Sequence, residues 1–118
     1  IWTGPEARAA FDLLQNRFVW TGGIVPLTSD RAHFDERAMR GELMEPFFRG
    51  REMPLSRVTV GILADMGYPV NPFSWQRYAL PMAGIARDDA ARAVSLRGDV
   101  LRRPLGVVGP DGRVVPLR

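Results

Sequence analysis

Residues 54–68 read PLSRVTVGILADMGY, and this stretch decides the core of the fold. Ser56 is a preferred helix cap that closely follows Pro54, and Gly67 suits the left-handed residue that often follows a helix end. Apolar side chains cover most of the circumference between them, which is typical of a buried helix. The β-branched run at 58–60 would also suit a strand, and only the two end signals favour the helix. We therefore predict a core helix from Ser56 to Gly67.

A second helix is predicted near the start of the chain, from about Gly4 to Asn16. Thr3 and Glu6 have the spacing of a capping box, and Pro5 is tolerated in the first turn because its missing N–H needs no partner there. Apolar residues recur at helical spacing, which predicts an amphipathic surface helix. These residues are Ala7, Ala10, Phe11 and Leu14.

The segment between these helices has little regular periodicity. Ile24 to Leu27 could form a short strand, which Pro26 would restrict to a sheet edge. Residues 28–54 are predicted to be mostly loop, and so long a loop in a small domain is usually functional. We therefore expect functional residues within it.

The C-terminal region is predicted to contain a short helix and a hairpin. Asp88 or Asp89 caps a helix that extends to Arg97. Two pairs of valines, at 107–108 and 114–115, flank Gly-Pro-Asp-Gly-Arg, which is a strong turn signal between β-branched residues. This pattern predicts a terminal β-hairpin.

Length and composition indicate one globular domain with a packed core. The chain has 118 residues, of which 46% are hydrophobic and 25% are charged. It contains no cysteine, which excludes a disulfide framework and a thiolate metal site. No apolar stretch approaches the roughly 20 residues that a membrane-spanning helix requires, so we expect no membrane span.

Positive charge is concentrated in the C-terminal third. All 16 basic residues are arginine; residues 1–78 hold nine of them against nine acidic residues, and residues 79–118 hold seven against four. Such an excess can attract phosphate groups, and nucleic-acid binding through residues 79–118 would depend steeply on salt. Only Arg102 and Arg103 are adjacent, so the dispersed charge favours a solvated surface and we expect no nucleic-acid partner.

Four short segments in the middle of the chain carry a family pattern. His33, the only histidine, opens the sequence HFDE, and GELM follows at 41–44. PLSRVT occupies 54–59 and LADMGY occupies 63–68. These segments resemble the C-terminal half of leishmanolysin-like zinc metallopeptidases, which belong to the metzincins, and the resemblance covers roughly residues 3–78.

The resemblance implies roles for particular residues. In that family an H-E-x-x-H helix supplies two zinc ligands and the catalytic Glu, and a third His follows later. The resemblance assigns the third ligand to His33. It assigns the family's Glu-Leu-Met turn to Glu42, Leu43 and Met44, in which the Met forms an apolar floor beneath the metal. Ten residues separate His33 from Met44, as the family pattern requires.

The chain also departs from the family pattern. Bacterial relatives usually have Trp where this chain has Phe34, and Thr-Gly where it has Glu45-Pro46, which restricts the turn beneath the metal. The absence of cysteine favours a bacterial-type branch over the disulfide-rich eukaryotic members. Glu36, Glu42 and Glu45 resemble an acid–base cluster, but the position of Glu42 in the turn favours a structural hydrogen-bond acceptor.

No H-E-x-x-H occurs in the 118 residues, so two of the implied ligands and the general base are missing. A catalytic zinc site needs three protein ligands and an open position for water. We therefore expect a C-terminal segment of a zinc endopeptidase that is inactive alone and contains no catalytic residue of its own. Its partners would be a peptide or protein substrate and the upstream part of the same polypeptide. The resemblance implies a secreted or periplasmic location.

The predicted fold class is α+β, a zincin-like C-terminal subdomain with few helices, long loops and a terminal hairpin. Residues 1–78 would form the C-terminal part of a metzincin-like catalytic domain, and residues 79–118 an Arg-rich extension. The competing hypothesis is a non-catalytic interaction module that kept the fold and lost the chemistry. An H-E-x-x-H motif encoded immediately upstream of Ile1 would favour the peptidase.

Overall fold

The computed structural model describes residues 1–15, 24–81, 93–98 and 106–116. Helices occur together with two antiparallel strand pairs, so the predicted α+β class is confirmed. The helices are α1 (Pro5–Leu14), α2 (Glu36–Met39) and α3 (Arg57–Asp65), and the strands are β1 (Phe47–Phe48), β2 (Val94–Ser95), β3 (Gly106–Val108) and β4 (Val114–Pro116). The segment 28–54 contains α2 and β1 and is otherwise loop.

Helix α3 forms because its two end signals act as the sequence predicts. The Ser56 side chain accepts a hydrogen bond from the Thr59 amide, and Gly67 takes a left-handed φ of +87° just after the helix end. The predicted helix between Ser56 and Gly67 is therefore confirmed. Its first half is buried, including Val58 and Val60, whereas its second half is partly exposed. Burial on all sides is thus limited to the start of the helix.

Helix α1 is also confirmed, but its predicted capping box is wrong. Gly4, rather than Thr3, is the N-cap residue. The carboxylate of Asp65, at the end of α3, accepts hydrogen bonds from the amides of Glu6 at 2.9 Å and Ala7 at 3.1 Å. A carboxylate at a helix N-terminus satisfies free N–H groups and interacts favourably with the helix dipole. A tertiary contact therefore replaces the expected local cap.

Helices α1 and α3 approach each other closely at Gly61. A Cβ atom at this position would lie 2.7 Å from the Cα and the backbone nitrogen of Ala7, which is too close for any side chain. The buried core around this crossing consists of Ala7, Ala10, Phe11, Val25, Phe34, Met39 and Val58. The core therefore joins both helices to the loop segment between them.

The pair of β1 and β2 joins distant parts of the chain. The strands are antiparallel, with Phe47 opposite Ser95. The predicted helix that reaches Arg97 is therefore wrong over residues 94–95, because these residues are extended and pair with β1. Its predicted start at 88–89 lies outside the described residues. The Arg-rich extension thus contributes a strand to the region before it.

The two strand predictions have different outcomes. The expected edge strand at 24–27 is reduced to two isolated bridges, in which Val25 pairs with Trp2 and Leu27 pairs with Phe34. The terminal hairpin is confirmed, because β3 pairs antiparallel with β4. Gly112 supplies the left-handed residue of its turn, with a φ of +75°.

Candidate functional site

His33 lies in a tight loop that closes on itself. The Thr28 amide donates a hydrogen bond to the His33 carbonyl at 2.9 Å, and Leu27 forms a bridge with Phe34. At the tip of the loop, Arg31 adopts a left-handed φ of +61°. This conformation is unfavourable for a residue with a Cβ atom, and it persists where the surrounding structure enforces it. The loop therefore holds His33 in a defined position.

Asp30 contacts the imidazole of His33 from within the same loop. Its Oδ2 atom lies 3.3 Å from Nδ1 of His33. Its Oδ1 atom accepts hydrogen bonds from the Thr28 hydroxyl and from the Ala32 amide, the latter at 2.9 Å. These donors, the Thr28 hydroxyl first, hold the pKa of Asp30 well below its ordinary value, although burial acts in the opposite direction. The sequence did not single out Asp30, because only closure of the loop brings its carboxylate to His33.

The turn formed by Glu42, Leu43 and Met44 lies against this loop. The Phe34 amide donates to the Met44 carbonyl at 2.9 Å, so the residue after His33 is bonded to the turn. Phe34 itself is buried in the core. Leu43 and Met44 are 48% and 39% exposed, so the turn presents apolar surface on its outer side.

The buried carboxylate of Glu42 connects the turn to α3. Its Oε2 atom accepts a hydrogen bond from the Met44 amide. Its Oε1 atom accepts from the Ser56 amide at 2.8 Å and from the Thr59 hydroxyl at 2.5 Å. Hydrogen bonds to a carboxylate are stronger than those between neutral groups. Glu42 therefore acts as a structural hydrogen-bond acceptor.

The other two glutamates of the Glu36, Glu42 and Glu45 group contact an arginine. Glu45 is fully buried, and its two oxygens lie 2.5 and 3.1 Å from Nε and Nη2 of Arg49. The Glu36 carboxylate lies 3.9 Å from the same guanidinium group. Both contacts are ion pairs. Each of the three glutamates thus has a structural partner: Glu42 bonds the turn and α3, and Glu45 and Glu36 share Arg49.

Tyr78 lies close to these carboxylates. Its hydroxyl donates a hydrogen bond to the Arg40 carbonyl at 3.1 Å. Burial, and then the negative charges of Glu42 and Glu45, raise the pKa of Tyr78 well above its ordinary range. Tyr78 is therefore a neutral hydrogen-bond donor throughout the physiological pH range.

His33 fits the role of one metal ligand. Its side chain is 13% exposed, and one ring nitrogen faces a carboxylate, as is typical of metal-binding histidines. Over residues 1–15, 24–81, 93–98 and 106–116, no group of three His, Cys, Asp or Glu side chains is arranged to hold a metal ion. A catalytic zinc ion requires three protein ligands. The described residues therefore fit one part of such a site and not the whole.

An apolar groove lies between α1 and α3. It has a volume of about 350 Å³, and its lining includes Leu13, Val60 and Phe73. The Arg57 guanidinium lies 4.1 Å from the ring centre of Trp75, another lining residue. The groove thus has mainly apolar walls, as is typical of sites that bind small molecules.

Within the described parts of the chain, no helix has the length and apolar character needed to cross a membrane. Comparison with known protein families, curated proteins and solved structures finds no match to this chain. A functional hypothesis therefore depends on the local geometry around His33 and on the sequence pattern.

Proposed function

We propose that this chain is the C-terminal segment of a leishmanolysin-like zinc endopeptidase, in which His33 is one of three zinc ligands. The observation that supports the proposal most is the connection between His33 and α3. The neighbour of His33, Phe34, is bonded to Met44, and Met44 is bonded to Glu42, whose carboxylate also holds the start of α3. This chain of hydrogen bonds fixes a histidine, a Met-containing turn and a core helix relative to one another.

Rigid support is what a metal ligand requires. Small displacements of a ligand weaken binding, so functional side chains are usually held by buried neighbours and by further hydrogen bonds. Phe34 anchors one side of His33 in the core, and the closed loop from Thr28 holds the other side. His33 thus has a fixed backbone on both sides and a side chain that is still partly exposed.

The division of roles follows from the residues present. When bound, zinc activates a water molecule and polarises the scissile carbonyl group of a peptide. His33 would hold the metal, Met44 would form the apolar floor beneath it, and Glu42 would keep the turn in place. The general base and the other two ligands belong to the upstream part of the polypeptide in this proposal, so the chain alone is inactive.

The test uses the longer polypeptide that this proposal requires. Its sequence upstream of Ile1 is read for H-E-x-x-H, and its zinc content and peptide cleavage are measured. His33→Ala should abolish both bound zinc and cleavage, whereas the exposed neighbour Ser29, changed to Ala, should leave both unchanged. Stoichiometric zinc and normal turnover in the His33 variant would contradict the ligand assignment. An intact upstream domain without H-E-x-x-H would favour the non-catalytic interaction module.

A further inference from the structure

We infer that Asp30 is the positioning residue of His33: it fixes the imidazole as the Nδ1–H tautomer and leaves Nε2 as the atom that binds metal. The tautomer is a property of the 118-residue chain itself. The role of Nε2 rests on the proposed function, because Nε2 is the atom that a zinc ion would contact.

Asp30 is held more firmly than an ordinary loop carboxylate. Its Oδ1 atom accepts from the Thr28 hydroxyl and the Ala32 amide, and Thr28 is itself bonded to the His33 carbonyl. Oδ1 is thereby committed to two donors, and Oδ2 is the oxygen directed to the imidazole. The side chain of Asp30 is only 8% exposed, so water competes weakly for this oxygen.

The chemistry of the two groups then selects the tautomer. An ionised carboxylate accepts hydrogen bonds and donates none, and aspartate is ordinarily ionised at neutral pH. The contact of 3.3 Å between Oδ2 and Nδ1 is therefore a hydrogen bond only when Nδ1 carries the proton. In the neutral imidazole Nε2 is then the acceptor, with a lone pair available for a metal ion.

No competing partner constrains the ring within the described residues. The hydrogen bond to Asp30 is the only one that the His33 ring makes there. Asp30 is thus the single group in this part of the protein that can choose between the two tautomers. A metal-binding histidine whose second nitrogen bonds a carboxylate has this arrangement, and loss of such a partner typically costs 10–100-fold in metal affinity.

The first experiment measures the tautomer directly in the 118-residue chain. Because His33 is the only histidine, a long-range ¹H–¹⁵N correlation spectrum of the ¹⁵N-labelled chain reports this ring alone. At about pH 8.5, above the range in which imidazoles ordinarily titrate, the spectrum should show Nδ1 protonated and Nε2 unprotonated. An Nε2–H tautomer in the wild-type chain would overturn the inference without any variant.

Asp30→Asn supplies a sharper test, because it should reverse the tautomer. The Ala32 amide and the Thr28 hydroxyl retain an oxygen at the Oδ1 position, so the new amide group presents its NH₂ to Nδ1. Nδ1 must then accept, and the proton moves to Nε2. The matched control is Asp35→Asn, since Asp35 bonds the Arg37 amide, away from the ring, and should leave the Nδ1–H tautomer intact.

The remaining variant covers the case in which Asp30→Asn does not fold. Asp30→Ala removes the acceptor, so both tautomers should be populated. A folded Asp30 variant with an unchanged, pure Nδ1–H spectrum would overturn the inference.

In the longer polypeptide, either Asp30 variant should weaken zinc binding about 10–100-fold in a metal-competition titration, while Asp35→Asn should not. If the tautomer responds as stated but His33→Ala leaves zinc binding unchanged, the positioning of the ring stands and the proposed function fails.

Discussion

The carboxylate of Glu42 accepts a hydrogen bond of 2.5 Å from the hydroxyl of Thr59, which lies 17 residues further along the chain. Both residues are buried. The same carboxylate binds the amides of Met44 and Ser56. One buried side chain therefore fixes both the turn that follows α2 and the first turn of α3. Its substitution should affect the whole region at once.

Glu42→Gln should lower the free energy of unfolding by about 1–3 kcal/mol, the cost of leaving a buried donor without its partner. In the wild type both carboxylate oxygens accept hydrogen bonds. An amide keeps only one acceptor oxygen, so its NH₂ group would face an N–H or O–H donor and leave that donor without an acceptor. Urea unfolding measures the change. Glu52→Gln, at an exposed position, is the control and should change the stability by less than about 0.5 kcal/mol. Equal effects of the two variants would contradict the structural role of Glu42.

Asp65 should make stability depend on pH at the acidic end. Burial opposes its charge, but hydrogen bonds from Trp2, Glu6 and Ala7 outweigh this and lower its pKa below the ordinary value. A carboxylate whose pKa falls on folding stabilises the protein fully above its unfolded pKa of about 4 and loses that contribution as pH falls through the folded value. Asp65→Asn should therefore lower stability at pH 7 by about 0.5–2 kcal/mol, the usual range for loss of a cap.

The pH profile separates this effect from general acid unfolding. The difference in unfolding free energy between the wild type and Asp65→Asn should be constant from pH 7 to about pH 5 and should shrink below about pH 4. Asp111→Asn, at an exposed position in the hairpin, is the control and should change the stability at pH 7 by less than about 0.5 kcal/mol. A difference for Asp65→Asn that does not change with pH would show that its charge is not what caps α1.

Gly61→Ala tests the close crossing of the two long helices. Helix propensity alone would make alanine about 1 kcal/mol more favourable than glycine. The new methyl group, however, would lie 2.7 Å from backbone atoms of Ala7, and forcing extra volume into a packed site typically costs about 1–3 kcal/mol. We expect a net loss of stability in thermal unfolding. Ala64→Gly, in the same helix, measures the difference in helix propensity between alanine and glycine. A Gly61→Ala variant that is more stable than the wild type would contradict the close approach of the helices.

Removing one partner of the buried ion pair between Glu45 and Arg49 should lower the stability more than removing both partners. Arg49→Met leaves the fully buried Glu45 charge without its main partner, and breaking a buried pair in this way typically costs about 3–5 kcal/mol. Adding Glu45→Leu removes that charge and should restore a large part of the loss. Denaturant unfolding of both single variants and the double variant forms the cycle. A double variant whose loss equals the sum of the two single losses would show that the pair is not coupled.

Local signals explain which elements the sequence predicts. Ser56 and Gly67 bound α3, and the Gly-Pro-Asp-Gly turn specifies the hairpin, because caps and turns depend on residues within a few positions of each other. The core helix and the hairpin were therefore accessible from the sequence. The capping of α1 was not, since its cap is supplied by Asp65, about 60 residues away.

The same limit applies to the candidate site. His33 and the Glu42–Met44 turn stand out in the sequence through the family resemblance, but the partner of His33 depends on a loop that folds back between Thr28 and His33. The strand pair of Phe47 with Ser95 likewise joins segments with no local relation. The local cap signal at Asp88 or Asp89 predicts a helix that includes residues 94–95. Nothing near these two residues in the sequence indicates that β1 is their partner.

The 118-residue chain should bind zinc only weakly. It has one histidine and no cysteine, whereas tight zinc sites use three or four ligands in a tetrahedral frame. The carboxylates nearest in sequence to His33 already have partners. Asp30 bonds the imidazole itself, Asp35 caps α2 through the Arg37 amide, and Glu36 lies 3.9 Å from Arg49. Glu42 is buried and accepts three hydrogen bonds. Recruiting any of them to a metal would break contacts that hold the loop and the turn.

Calorimetric titration with zinc measures this directly. We expect no binding tighter than about 1 μM for the wild-type chain and a further loss for His33→Ala, because a single imidazole contributes one coordination bond. The longer polypeptide should bind zinc stoichiometrically in parallel runs, since two more ligands would then complete the site. Tight binding by the 118-residue chain would show that the ligand set proposed around His33 is wrong.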